Sequence, residues 1–305
     1  MKDETTRATS LVSKVTLRDG NNSSTVYEYT YDLLGNITLI KKDSANLWSY
    51  DYYTLGQLIR ENDYTSGNTY LYTYDYSGNI QGKHVWPYIT NAPTWHLLSL
   101  IGYAEMSSVF YTYGNSSWGD QLTAYDGTTI SYDASGNPTN WSNSTLDVWY
   151  MVWSGRQLTA LTRDMLYHTL SLDYNADGVR IKKSNSDYVD EQWVDDTHNY
   201  VLDGTKIIKE TIEHEVSSTI TGTDVLYYYY DESGIAGFEY NGTVYYYLKN
   251  IQGDVINILN SSEHLTVNQG GPGFKSWIGR HEKATEQGGF LYACGRNHLF
   301  GFGVF

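Results

Sequence analysis

The stretch Tyr72-Thr73-Tyr74-Asp75-Tyr76-Ser77-Gly78-Asn79 decides how this chain is read. Tyrosines at spacing two share one face of an extended strand, with Thr73 on the other. Asp75 and Gly78 then occupy the first and fourth positions of a type I turn. There an aspartate side chain bonds N–H groups ahead of it, and glycine accepts positive φ. Strand, Asp-turn-Gly, strand is the signature of a β-hairpin.

Outward from this stretch the same unit recurs. It reads Tyr29-Thr30-Tyr31-Asp32-Leu33-Leu34-Gly35-Asn36, then Tyr132-Asp133-Ala134-Ser135-Gly136-Asn137, then Tyr230-Asp231-Glu232-Ser233-Gly234. Tyr174 to Gly178 and the pair Gly253-Asp254 fall in the same register. Apolar segments follow the turns, as in Ile37-Thr38-Leu39-Ile40 and Gln157-Leu158-Thr159-Ala160. Gly35, Gly56 and Gly78 stand 21 and 22 residues apart, and Gly119, Gly136, Gly155 and Gly178 follow at 17, 19 and 23. About 20 residues accommodate two strands and two turns. A lone hairpin is unstable in water, so successive hairpins must pair edge to edge. The expected fold is all-β: tandem hairpins in one continuous sheet whose twist winds it into an open partial shell. The aromatics recur in every repeat and are not clustered in one, which points to cross-strand tyrosine ladders and not to a ligand surface.

Composition agrees. The 305 residues include 31 tyrosines and 9 tryptophans but only 4 prolines, with 18% charged residues. This favours strands and tight turns over helices. A net charge of −15 excludes a nucleic-acid partner, which needs a Lys/Arg footprint. One cysteine, Cys294, excludes an intrachain disulfide and a thiolate-rich zinc site. The N-terminal Met1-Lys2-Asp3-Glu4-Thr5-Thr6-Arg7 has no apolar core of a signal peptide. No apolar run is long enough for a helical membrane span.

These Tyr-Asp-x-x-Gly-Asn units resemble the YD-repeat (RHS-repeat) family of Gram-positive type. Two longer segments add to the resemblance: Trp118-Gly119-Asp120-Gln121-Leu122-Thr123-Ala124-Tyr125-Asp126-Gly127, and Tyr245-Tyr246-Tyr247-Leu248-Lys249-Asn250-Ile251-Gln252-Gly253-Asp254-Val255-Ile256. The resemblance covers residues 20–268, with 1–19 as a partial leading repeat. It implies a spiralling β-shell, an extracellular or cell-surface location, and, in polymorphic toxins, an enclosed C-terminal effector as intramolecular partner. The family's core-ending Asp-Pro-x-x-Gly block is missing, so no catalytic residue carries over. The expectation is a structural shell module that is not an enzyme and holds no cofactor or metal.

From residue 269 the pattern stops. Residues 270–305 hold 9 of the 28 glycines, one tyrosine (Tyr292) and no aspartate; Lys275, Arg280, Lys283 and Arg296 outnumber Glu282 and Glu286. This Gly-rich basic tail of 269–305 reads as poorly ordered, and with both ends looking cut the chain reads as a truncated repeat core. A strip cut in this way exposes unpaired strand edges, hence self-association.

Sharper motifs are weaker. Asp173-Tyr174-Asn175-Ala176-Asp177-Gly178 fits half a calcium loop, but the twelfth position is Ser184 where a bidentate carboxylate belongs. In Glu213-His214-Glu215, strand alternation turns His214 away from both glutamates, and the segment reads as an exposed polar strand end. The other histidines are scattered. Tyr228-Tyr229-Tyr230, followed by Asn241-Gly242 and Tyr245-Tyr246-Tyr247, superficially resembles glycan-binding hairpin repeats. That leaves an adhesin-like module binding cell-surface glycans through exposed aromatics as the alternative.

Overall fold

A computed structural model describes residues 11–18, 24–89, 104–144, 147–163 and 168–260. The tail at 269–305 and most of the leading segment lie outside these residues. Among the described residues every regular element is a strand, and every pairing is antiparallel between chain neighbours. The chain divides into two compact units after Gly127.

The first sheet has ten strands in chain order. It begins with β1 (Lys14–Arg18), β2 (Ser24–Tyr31), β3 (Ile37–Lys42), β4 (Ala45–Tyr52) and β5 (Leu58–Asp63). It continues with β6 (Asn68–Tyr74), β7 (Ile80–Pro87), β8 (Ser107–Thr112) and the short β9 (Ala124–Tyr125) and β10 (Thr128–Thr129). The second sheet has eleven strands, again in chain order. It runs through β11 (Asn140–Ser144), β12 (Asp147–Ser154), β13 (Gln157–Arg163), β14 (His168–Tyr174) and β15 (Arg180–Val189). Then come β16 (Gln192–Asp203), β17 (Lys206–Val216), β18 (Thr219–Asp231), β19 (Gly234–Tyr240), β20 (Thr243–Lys249) and β21 (Val255–Asn260).

A meander of this kind alternates its connections between the two ends of the sheet. The tyrosine-associated turns all fall on one end: Asp32–Asn36, Tyr53–Gln57 and Asp75–Asn79 in the first sheet, Asn175–Val179 and Asn250–Asp254 in the second. The other end carries tight two-residue turns whose central residues sit at positive φ, such as Asp43-Ser44, Asp190-Glu191, Ser217-Ser218 and Asn241-Gly242. Positive φ at both positions matches the right-handed twist of the flanking strands.

Register corrects two expectations. Gly119 is not a hairpin glycine; it lacks the positive φ of the others and lies in a loop organised by Asn115, whose Oδ1 accepts the N–H groups of Ser117 and Trp118. The 20-residue period also stretches in the second unit, because β15 to β18 are 10 to 13 residues long. The turn at Gly204 (φ +59) lies between Gly178 and Gly234 with no Tyr-Asp to announce it.

The core is a series of small clusters, on one face in the second sheet and on both faces in the first, where Leu71, Trp86 and Ile89 pack on the side opposite to Tyr72. Leu58, Tyr72 and Ile80 pack with Tyr50, Tyr52, Tyr70, Tyr74 and Tyr111. In the second unit Met151, Leu158, Leu161, Leu170 and Leu172 form one cluster, and Ile212, Leu226 and Phe238 another. β5 is buried at all six positions because its opposite face is also covered: Ile89 donates its N–H to Thr69 Oγ1 at 3.0 Å, and Arg60 bonds the Ile89 carbonyl.

Candidate functional site

The repeated turn is the best-defined constellation in the molecule. Asp75 Oδ1 accepts the N–H groups of Ser77 and Asn79, while Asn79 Nδ2 donates to Asp75 Oδ2 at 3.0 Å. Gly78 N–H donates to the Asp75 carbonyl, and Asp75 N–H to that of Asn79. The same set joins Asp32 to Asn36 and Asp133 to Asn137. Gly35, Gly78 and Gly136 all carry φ between +81 and +91, a region closed to most side chains. Hydrogen bonds from Asn36 and Asn79 hold the carboxyls of Asp32 and Asp75 below their ordinary range, as those from Asn137 do for Asp133. These carboxylates are consumed by their own turns.

Variants of the turn follow the same chemistry. Asn175 replaces the aspartate in the turn that ends at Gly178, accepting N–H groups of Asp177 and Val179. This use of Asn175, with Asp173 already in β14, leaves the half calcium loop as a repeat turn. Among the described residues no three His, Cys, Asp or Glu side chains gather to hold a metal. At Gly253 the pair is inverted: Asn250 leads, and its Nδ2 donates to Asp254 Oδ2 at 2.9 Å. Asp231 to Gly234 is a tighter version in which Asp231 Oδ1 accepts Ser233 N–H and hydroxyl.

The tyrosine before each turn has a role that alternation does not reveal. Tyr74 donates its hydroxyl to the Leu58 carbonyl at 2.7 Å, Tyr52 to Ile37 at 2.9 Å, and Tyr31 to Val12 at 2.7 Å. In the second unit Tyr174 donates to Leu158 and Tyr230 to Ile207, both at 2.8 Å. At the equivalent place Trp153 uses its indole N–H on the Pro138 carbonyl at 2.6 Å. Apart from Val12, each acceptor lies two or three residues beyond the glycine of the preceding turn. Each of these six aromatics therefore ties its repeat to the segment before it. The backbone of Tyr132 forms an isolated antiparallel bridge with Pro138 across its own turn. Cross-strand ring contact does occur, as between Tyr111 and Tyr125 with centroids 5.4 Å apart, but the recurring bond is the tie. Its sequence signal was available: an aromatic immediately before each turn, with an apolar residue just past the previous one.

Two buried ionisable stations sit at matching places in the two units. Glu61 lies three residues past Leu58 and is 1% exposed. Its Oε2 accepts the Tyr72 hydroxyl at 3.1 Å, while Oε1 has no partner. Burial pushes the Glu61 carboxyl up and the Lys83 ammonium down; Lys83 Nζ lies 4.7 Å from the Tyr70 ring centre. Glu210 lies three residues past Ile207. It accepts from Tyr228 and meets His198 Nδ1 at 2.5 Å. Burial would raise the Glu210 carboxyl, but the bonds from His198 and Tyr228 prevail and hold it low. Other repeats place Ile40 and Leu161 at this same position. A position filled by Ile, Glu, Leu and Glu in turn is a packing position that tolerates a carboxyl.

His214 is not an exposed strand end. It sits within β17, half-buried, with Nδ1 2.5 Å from Asp196 on β16 and Nε2 3.0 Å from Asp224 on β18. Burial lowers its basicity, yet the two carboxylates prevail and raise it. Alternation is why the neighbouring glutamates do not reach it.

No protein-family description matches this chain, and no curated protein matches it. Its backbone is similar to a chain in a crystal structure of TcdB2-TccC3-Cdc42, with 16% identity and a TM-score of 0.48, covering 82% of this chain and 15% of that one. A second likeness is to a variant of the Photorhabdus luminescens Tc holotoxin pore, with 14% identity and a TM-score of 0.32, covering 83% of this chain and 17% of that one. The chain spans less than a fifth of either.

Proposed function

We propose that this chain is a segment of a YD-repeat (RHS-repeat) β-shell, a structural module of a secreted or cell-surface protein that encloses an effector, and not an enzyme. One observation carries the reading. The residues that define the repeat are spent on one another, in the Asp–Asn clasp within each turn and the aromatic tie to the turn before. Side chains used up in this way build a wall. The test is limited proteolysis of the native protein from its producing cell. An enclosed effector stays protected while the wall is intact, and becomes cleavable when Tyr74→Phe, Tyr174→Phe and Tyr230→Phe are combined. Equal protection in both would count against a wall, and self-cleavage on a time-course gel would count against a non-enzymatic role.

A second reading, glycan binding, draws on one feature of the second unit. Tyr229 faces Gly237, which faces Tyr246 on the next strand, so two exposed rings flank a backbone floor. Tyr229 donates its hydroxyl to Glu239 at 2.8 Å, which fixes its ring. Glycan-array binding that disappears in Tyr229→Ala and Tyr246→Ala would favour this role.

A further inference from the structure

The turn tips of the first unit carry side chains that the turns do not need. The two central positions of an Asp-x-x-Gly turn face solvent and favour small polar residues. Here they hold Leu33 (105% exposed), Leu34 (70%), Leu55 (87%) and Tyr76 (112%). Trp118, 50% exposed, follows in the next loop at the same end, where Asn79 Nδ2 bonds Asp120 Oδ1 at 3.2 Å. In the second unit the matching tips Ala134-Ser135, Ala176-Asp177 and Glu232-Ser233 are polar or small, and the one bulky apolar residue among them, Ile251, is half-buried. Folding therefore does not require the leucines, and burial does not explain them.

Successive tips are two strands apart, about 9.5 Å along one end of the sheet. They make a row of separate apolar knobs and no groove. Against a flat protein partner their outer halves would bury roughly 400 Å², about half of what each side of a stable interface needs. No lysine or arginine stands at these tips, and the carboxylates beside them, Asp32 and Asp75, stay ionised with their oxygens bonded inside the turns. Leucines with a tyrosine and a tryptophan, protruding singly from one rim without a cationic footprint, suit the interfacial zone of a zwitterionic lipid bilayer. We infer that the Leu33–Leu55–Tyr76–Trp118 rim of the first unit is a membrane-surface contact that inserts its tips into the headgroup region of a neutral bilayer.

The test is flotation of the full chain with phosphatidylcholine vesicles at low and high salt. Bound protein that persists at high salt is the expected result, with partitioning reduced at least about tenfold in Leu33→Ser/Leu55→Ser/Tyr76→Ser. Circular dichroism and the unfolding midpoint should not change in that variant. Ile220→Ser, at an exposed site of the second unit, should partition like the parent. Failure to float overturns the inference, as does equal flotation of the triple variant or binding abolished by salt. A dimer seen by light scattering that the triple variant removes, without vesicle binding, would assign the rim to a second copy instead.

Discussion

Tyr72, Tyr74 and Tyr76 alternate through one strand and into its turn, and their hydroxyls occupy three different environments. The Tyr74 hydroxyl donates to the buried Leu58, and burial raises its pKa to about 12. Tyr76 is wholly exposed. Replacing Tyr74 by phenylalanine removes one hydrogen bond, worth about 1 kcal/mol net. It also strips an acceptor beside a buried residue, whose desolvation adds up to about 1 kcal/mol more. Tyr74→Phe should therefore cost about 1–2 kcal/mol, against less than about 0.5 for Tyr76→Phe. For a unit of this size the cost corresponds to a fall in Tm of roughly 3–8 °C. Urea unfolding followed by tyrosine and tryptophan fluorescence gives the midpoints, and m-values should match the parent's. Midpoints of Tyr74→Phe and Tyr76→Phe that agree within error would refute the claim that the tie, and not the ring, is what the motif tyrosine supplies.

The remaining expectations concern buried groups. Glu61→Leu combined with Tyr72→Phe removes the buried carboxyl together with the hydroxyl that bonds it. It puts an apolar side chain where Ile40 and Leu161 already stand, so the pair should raise stability at neutral pH by about 1 kcal/mol, read as a higher urea midpoint. Glu61→Leu alone strands the Tyr72 hydroxyl and should not. Because burial raises the Glu61 pKa, the parent gains stability as pH falls through that raised value toward the ordinary carboxylate range. The double variant should lose this gain in a pH series of midpoints. His214 is likewise raised, so its contribution is complete below about pH 6.5 and is lost as pH climbs through the folded value. His214→Gln should flatten that decline in thermal melts of the second unit. Gly237→Ala places a Cβ well inside contact distance of the Tyr245 carbonyl oxygen and 3.2 Å from Tyr246 Cα. It should cost more than about 2 kcal/mol or prevent folding of that unit, as seen by loss of its cooperative transition.

Hairpins, their turn glycines and the all-β class were legible because Tyr-Asp-x-x-Gly writes strand end, turn and φ in the same five residues. The stretch from Gly178 to Gly234 was not. Its turns use Asp-Glu, Gly-Thr and Ser-Ser, and its long strands mix Lys, Glu, His and Asp into the packed face, which hides the alternation of apolar residues. That face works because the charges meet across strands, as His214 meets Asp196 and Asp224. Such partners lie 10 and 18 residues away and leave no local trace. The tie from Tyr74 to Leu58 left only an indirect signal, the aromatic before the turn, because it ends on a backbone carbonyl, which has no letter in the sequence.

The alternation of turn types gives the chain a parity. Every clasped turn lies on one end of its sheet only because an even number of strands separates it from the last. Duplicating or deleting two strands leaves all downstream residues on their present side and needs only one new tie to the neighbouring repeat. Losing a single strand would carry every later clasp to the opposite end, and turn each downstream core face outward. Such a chain can change length in evolution only in steps of a whole hairpin.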